Sequence, residues 1–350
     1  MQALLGVLFH SIGGFASGSF YIPYKKVKDW SWESYWIVGG IASWLFVPLI
    51  AAWLTIPDFM NIIRSTDSST LFYTFLMGLL WGIGGLTFGL SMRYLGMSLG
   101  MSIALGFCSA FGALIPPIYR DIVGTGGDKT FSSMLQHTGG QIVLLGVAVC
   151  LLGIYICGKA GVMKEKDLSA EQQKESIKEF NLWRGLAVAT TSGILSACFN
   201  FGIEAGKSMA GVAVAKGCNP LFQNNVIFVV ILWGGLTTNF IWCMYLNTTN
   251  KTFGDYTNDK APLTNNYIFS MLAGTTWFLQ FFFYGMGESK LGNGASSWIL
   301  HMATIIITSN LWGMYFKEWS GVSSKTYRTI LLGIATVILS VFIVGYGNSL

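Results

Sequence analysis

The chain has 350 residues, 53% of them hydrophobic and 11% charged, with a formal net charge of +5 and a mean hydropathy of +0.55. Soluble domains carry about 25% charged residues, so this composition excludes a water-soluble globular protein, and a modest positive charge placed in loops excludes a nucleic-acid-binding surface. Six cysteines without CxxC spacing, three histidines without HExxH and no P-loop sequence exclude a disulfide frame, a zinc hydrolase and an ATP-driven pump, and no cofactor or metal is expected.

Ten apolar stretches follow one another: Ala3–Ile22, Tyr35–Ile56, Leu71–Met92, Met97–Ile118, Gln141–Cys157, Gly185–Ile203, Phe222–Leu246, Tyr267–Met286, Ala295–Phe316 and Thr329–Val344. A hydrocarbon core of ~30 Å takes ~20 helical residues to cross, and strands are shorter than these runs. The first stretch lacks a basic leader region, so it reads as a retained span. The fold expected is an all-α membrane protein of ten transmembrane helices.

Charge orients the spans. Fifteen of the 21 lysines and arginines lie in odd-numbered loops, and positive residues favour the cytoplasm. Both termini are therefore expected on the periplasmic side. Residues 159–184 form a charged linker, and its stretch KEKDLSAEQQKESIKEF reads as a short surface helix. The linker separates an N-terminal half, residues 1–158, from a C-terminal half, residues 185–350.

The halves match in order. Gly6, Gly14, Ser17 and Phe20 recur as Gly185, Gly193, Ser196 and Phe199 at an offset of 179. Trp81, Gly89 and Leu95 recur as Trp277, Gly285 and Leu291 at 196, and Gly146 and Gly158 recur as Gly333 and Gly345 at 187. Five spans per repeat is an odd number, so the second copy inserts upside down. Inverted repeats are typical of transporters that alternate access around a midplane site.

Polar groups inside lipid are costly unless they face protein or water. Four spans carry such groups at helical spacing: His10, Gly14, Ser17, Tyr21 and Tyr24; Ser192, Ser196, Asn200 and Glu204; Trp277, Gln280 and Tyr284, with Trp81, Gly84 and Phe88 as repeat partners; and Ser297, His301, Thr304 and Thr308. Hydroxyls, amides and flat indoles suit an uncharged polyol, whereas an anion calls for buried arginine or lysine. Histidine titrates nearest physiological pH, which makes mid-span His301 the first candidate for a coupled proton, with Glu204 and His10 behind it. Glu204 has Lys207 three residues on and also fits a surface pair. Two other readings share these features: an exporter of drugs or metabolites, and a membrane sensor that transports nothing.

The chain resembles the bacterial L-rhamnose–proton symporters of the drug/metabolite transporter superfamily. The resemblance lies in Phe20–Glu33 (FYIPYKKVKDWSWE), Trp36–Trp44 (WIVGGIASW), Trp81–Gly84, Met92–Ser98, Trp277–Tyr284 (WFLQFFFY), Ser297–Met302 (SWILHM) and Phe316–Trp319. The chain departs at Glu204, where the family pattern has an uncharged amide, and in the polar loop Asn247–Tyr267. The resemblance implies ten helices in two inverted five-helix halves, an inner-membrane location, and uptake of L-rhamnose with a proton; alternating access is the mechanism expected of such repeats, L-lyxose or a related deoxy sugar stands beside L-rhamnose as a substrate, and a monomer or dimer is expected. Stripes and resemblance together nominate Ser17, Tyr21, Trp81, Asn200, Trp277, Gln280, Tyr284, Ser297 and Trp298 as sugar contacts, and His301, Glu204 and His10 for the proton.

Overall fold

A computed structural model describes residues 2–124, 130–169, 181–317, 319–347 and 350, and among them the chain is helical with no strand. In chain order the helices are α1 (Gln2–Ser19), α2 (Tyr21–Tyr24), α3 (Trp32–Ile41), α4 (Val47–Thr55), α5 (Phe59–Ser65), α6 (Ser68–Val123), α7 (Phe131–Gln136), α8 (Thr138–Asp167), α9 (Leu182–Ser196), α10 (Cys198–Ala205), α11 (Lys207–Ala215), α12 (Asn225–Asn250), α13 (Leu263–Leu291), α14 (Gly294–Tyr315) and α15 (Ser324–Gly347). Each of the ten apolar stretches falls on helix. Among the described residues eight segments are long and apolar enough to cross a membrane. The eighth and ninth stretches, α13 and α14, are long enough but less apolar, because they carry two of the polar stripes.

Residues 68–123 bond as helix throughout, so no open loop separates the third and fourth stretches. The segment is not a rod. A methyl added at Gly100 would lie 3.0 Å from the Ser91 carbonyl oxygen, whereas nine residues of straight helix span ~13 Å. The chain doubles back there, and Ser68–Met92 and Ile103–Val123 remain separate passes. The charged linker is a second correction in detail: α8 continues to Asp167, and most of the expected surface helix, residues 170–180, lies outside the described residues.

The first and sixth stretches are both broken, and near corresponding points. Pro23 lacks an N–H, and its ring opposes the Ser19 carbonyl, so α1 ends at Ser19 and α2 starts anew. The sixth stretch stops at Ala197 and resumes as α10. In the second stretch a five-residue π turn, Ala42–Phe46, joins α3 to α4 just before Pro48. Single π turns gather at functional sites.

The chain forms two compact units, each drawn from both sequence halves: Met1–Phe15, Gly84–Ala197 and Lys290–Leu350 in one, Ala16–Ile83 and Cys198–Ser289 in the other. The first unit is organised by the antiparallel pair α8 and α15. Gly139, Gly146 and Gly153 recur every seven residues, as do Gly333, Ser340 and Gly347. A methyl at Gly146 would lie 3.1 Å from the Val344 nitrogen, and one at Gly333 2.9 Å from the Cys157 nitrogen. These are one contact seen twice at the 187-residue offset, Gly146 answering to Gly333 and Cys157 to Val344. Small residues let helices approach where lipid offers no hydrophobic drive.

In the second unit, long-range polar bonds join loops. Asn250 and Thr252 donate to Glu33 (2.9 and 2.8 Å), Ser31 N and Ser34 Oγ donate to Asp255 (2.8 Å each), and Lys28 N donates to Asn266 (3.0 Å). Burial pushes the Tyr256 phenol up from its ordinary pKa, while its oxygen accepts from Asn247 at 3.1 Å. The loop Asn247–Tyr267, where the chain departs from the family pattern, thus clasps the first loop. These bonds join loops one and seven. Cys218 and Asn225 meet Thr55, joining loops two and six. In the first unit Asp167 accepts from Ser323 N (2.8 Å), joining loops five and nine. In these bonds odd meets odd and even meets even.

Candidate functional site

The nominated residues divide between the units. In the second unit they sit in an aromatic wall. The Trp81 ring lies 5.1 Å from Phe199, 5.8 Å from Phe281 and 6.2 Å from Trp44. Trp36 continues the wall to Trp44 (6.1 Å) and to Phe20 (6.4 Å), and Trp277 packs edge-on against Phe20 at 4.0 Å. Gly235 makes room for the Trp81 ring and Gly40 for the Trp44 ring, since a methyl at either would strike the indole. Ser17 is buried, and the Tyr21 phenol lies 3.5 Å from that of Tyr35.

Hydrogen bonding sorts the wall's polar atoms into two kinds. The Trp36 indole N–H donates to Asn239 Oδ1 at 2.9 Å, and the Asn239 amide donates on to the Gly235 carbonyl at 2.9 Å. By contrast, Trp44 Nε1, Trp277 Nε1, Gln280 Nε2 and Ser43 Oγ are buried and find no hydrogen-bond partner among the described residues. A buried donor left unmade costs ~1–3 kcal/mol. Among the described residues the unit holds eight such atoms, these four and those of Trp30, Thr74, Trp233 and Ser270; for the four set among the wall's residues a hydroxylated ligand would remove the cost. Ser43 and Trp44 both ride on the π turn of the second span, and neither was nominated from sequence. Only Pro48, four residues beyond Trp44, hinted that the helix would be irregular there.

Two predicted stripes meet along their length. Tyr284 Oη donates to Asn200 Oδ1 at 3.4 Å, both residues being buried. One turn further along each helix stand Glu288 and Glu204. Lys207 pairs with Glu204 and lies 3.7 Å from Glu288, whose other oxygen accepts from Asn224 Nδ2 at 2.6 Å. Glu204 is therefore an ion-paired carboxylate.

The first unit holds the histidines. The His10 and His301 rings are 5.7 Å apart, edge to face, and both are buried. Thr304 Oγ1 lies 3.0 Å from the His10 carbonyl oxygen and 2.8 Å from that of His301, tying α1 to α14 at this level. Gly14 admits the crossing, because any side chain there would collide with Thr304. Ser297 is buried, with no partner for its hydroxyl among the described residues. Trp298 is used differently: its indole N–H donates to the Cys108 carbonyl at 2.9 Å, and Gly112 makes room for its ring. Among the described residues no group of three metal-ligating side chains occurs.

A family model described as L-rhamnose-proton symport protein (RhaT) matches residues 1–349 of the chain. Curated relatives agree in length. An L-rhamnose-proton symporter of Pectobacterium carotovorum subsp. carotovorum (strain PC1) is 38% identical over 349 residues, 98% of each chain. One of Yersinia pestis (strain Pestoides F) is likewise 38% identical over 349 residues, again covering 98% of both.

Proposed function

The chain belongs to the L-rhamnose-proton symport protein family, a family of transporters and not of enzymes, and on that premise we propose that it imports L-rhamnose with a proton across a bacterial inner membrane. It is a multi-pass membrane protein. The observation that carries the sugar reading is the set of orphaned donors, Trp44, Trp277 and Gln280, in a wall of uncharged aromatic faces. A 6-deoxy sugar offers hydroxyl oxygens to such N–H groups and an apolar C–H and methyl face to such rings. Asn200, Tyr284, Trp81, Ser17 and Tyr21 complete the set in the same unit. The sequence nomination of Trp298 carries over as a positioning residue, since its N–H is engaged by Cys108.

All ten helices cross the bilayer in this reading, as two inverted five-helix repeats. Two observations support it. The α8–α15 seam repeats its own contact at the repeat offset. The ends of α13 bond to opposite loop sets, Asn266 to the first loop and Glu288 to Asn224 after the sixth. The clustering of positive charge in odd loops supports periplasmic termini.

Transport proceeds by alternating access about the broken first and sixth spans, whose interruption at corresponding points is a pointer to a transporter's central site. His301, with His10 beside it, couples the proton; Glu204 is held by Lys207. One inward charge gains ~2.3 kcal/mol per 100 mV, and coupling requires sugar and proton to favour the same state. Proteoliposomes given an inward proton gradient should accumulate labelled L-rhamnose above equilibrium, with L-lyxose as the test competitor. Uptake indifferent to the gradient rejects symport. A His301→Ala protein that still alkalinises the medium on rhamnose addition removes His301 from coupling.

A further inference from the structure

The clasp between loops one and seven ties the two sequence halves together at one end of the second unit. The head of α3 supplies one side of it. Glu33, in the first turn of α3, accepts from Asn250 Nδ2 and Thr252 Oγ1, while Ser31 N and Ser34 Oγ donate to Asp255 Oδ2. Lys28 and Asn266 bond in both directions: the Lys28 N–H donates to Asn266 Oδ1 at 3.0 Å, and Asn266 Nδ2 donates to the Lys28 carbonyl at 2.7 Å. Glu33, Ser34 and Asn266 are buried. Both carboxylates stand at the N-terminal end of α3, where the helix dipole favours negative charge. Their donors in these bonds are all neutral: an amide, two hydroxyls and a backbone N–H.

A carboxylate holds a neutral donor more strongly than a neutral acceptor does. At a loop, however, each partner finds water when the contact parts. The clasp is therefore firm, and it can open without leaving a polar group stranded in lipid.

Among the described residues the opposite end of the same unit is tied less firmly. There Asn225 Nδ2 donates to Thr55 Oγ1 at 2.9 Å, and Cys218 Sγ donates to the Thr55 carbonyl at 3.3 Å. Lys216 pairs with Asp58 at 3.7 Å, both side chains being exposed. A thiol is a weak donor and an exposed ion pair contributes little. At each end the bonds join residues before the charged linker to residues after it. A rocking motion of the halves must therefore break one set while it keeps the other.

We propose that the clasp of loops one and seven is the cytoplasmic latch of the transporter: it holds the odd-loop end closed in the resting state and parts to release sugar inward. The proposal rests on the alternating-access reading and on the odd loops lying inside. Latch strength sets the share of molecules open to each face, and apparent affinity at a face scales with the share open to it.

The test uses the full-length protein in right-side-out and inverted membrane vesicles without an ion gradient, and reads entry of labelled L-rhamnose into sugar-free vesicles. Asp255→Ala removes the acceptor for Ser31 and Ser34. The half-saturating concentration should then fall at least ~5-fold at the cytoplasmic face and should not fall at the periplasmic face. A fall at both faces, no change, or a rise at the cytoplasmic face overturns the proposal. A clasp with only a structural role lowers the amount of active protein and leaves half-saturation alone. If Asp255→Ala yields no folded protein, Asp255→Asn, which keeps an acceptor oxygen, decides by the same two measurements. A fall of ~2-fold or more confined to the cytoplasmic face supports the latch, and any other result overturns it. Parent protein that carries no L-rhamnose in either kind of vesicle overturns the transport reading itself, which separates the two.

Discussion

The α8–α15 seam and the aromatic wall solve opposite problems. In the seam every approach is closed: glycine faces backbone at Gly146, Gly153 and Gly333, and buried Ser340 gives its hydroxyl to the Val337 carbonyl at 2.6 Å. In the wall, closeness comes from large rings and the polar accounts stay open, with Trp44, Trp277 and Gln280 unsatisfied beside a fully satisfied Trp36. The seam spends its residues on rigidity. The wall gives up stability for groups that a ligand completes, a division expected where a scaffold supports a preorganised site.

Breaking the seam should have the largest effect. In Gly153→Leu the new side chain meets the Val337 nitrogen at 2.8 Å and the Gly333 oxygen at 3.2 Å, and backbone cannot yield as a side chain can. A loss of ~3 kcal/mol or more is expected, read as disappearance of the monodisperse peak in detergent size exclusion. Next comes the contrast within the wall. Trp36→Phe and Trp44→Phe delete the same atoms from buried indoles, so their volume losses nearly cancel. Only Trp36→Phe strands a partner, Asn239 Oδ1. Its thermal stability should fall further than that of Trp44→Phe by ~1–2 kcal/mol. Equal losses would mean that the Trp44 N–H is satisfied after all.

Binding should reverse that order. Trp44→Phe and Gln280→Leu each remove an orphaned donor, and each should weaken L-rhamnose-induced thermal stabilisation by roughly 10-fold in apparent affinity, about one good hydrogen bond. Unchanged affinity in both would detach the wall from the sugar. The smallest effect belongs to the loops: Lys216 and Asp58 form a 3.7 Å pair with both side chains well exposed, and Lys216→Ala should cost less than ~0.5 kcal/mol in melting experiments.

Much of this was legible from spacing alone. Asn200 and Tyr284, 84 residues apart, stood on stripes read as inward-facing, and they hydrogen-bond. His10 and His301 were paired as candidates and lie side by side. Trp44 was not legible. It sat in an apolar run, and only a π turn and the lack of an acceptor make its N–H a candidate ligand contact. For Trp298, its stripe neighbours gave no hint that its indole N–H donates to the Cys108 carbonyl. The surroundings of Glu288 were not legible either, since its partners Lys207 and Asn224 lie 81 and 64 residues away in sequence.

Hydropathy, loop charge and repeat offsets by themselves determined that this chain is a stack of membrane helices with polar faces, because lipid penalises every polar group whose position is not explained. Which of those polar groups are already satisfied, and which await a partner, was decided only by tertiary structure. A hydrogen bond depends on an angle and a distance of about 3 Å, and residues scores of positions apart reach that distance only after the helices have packed.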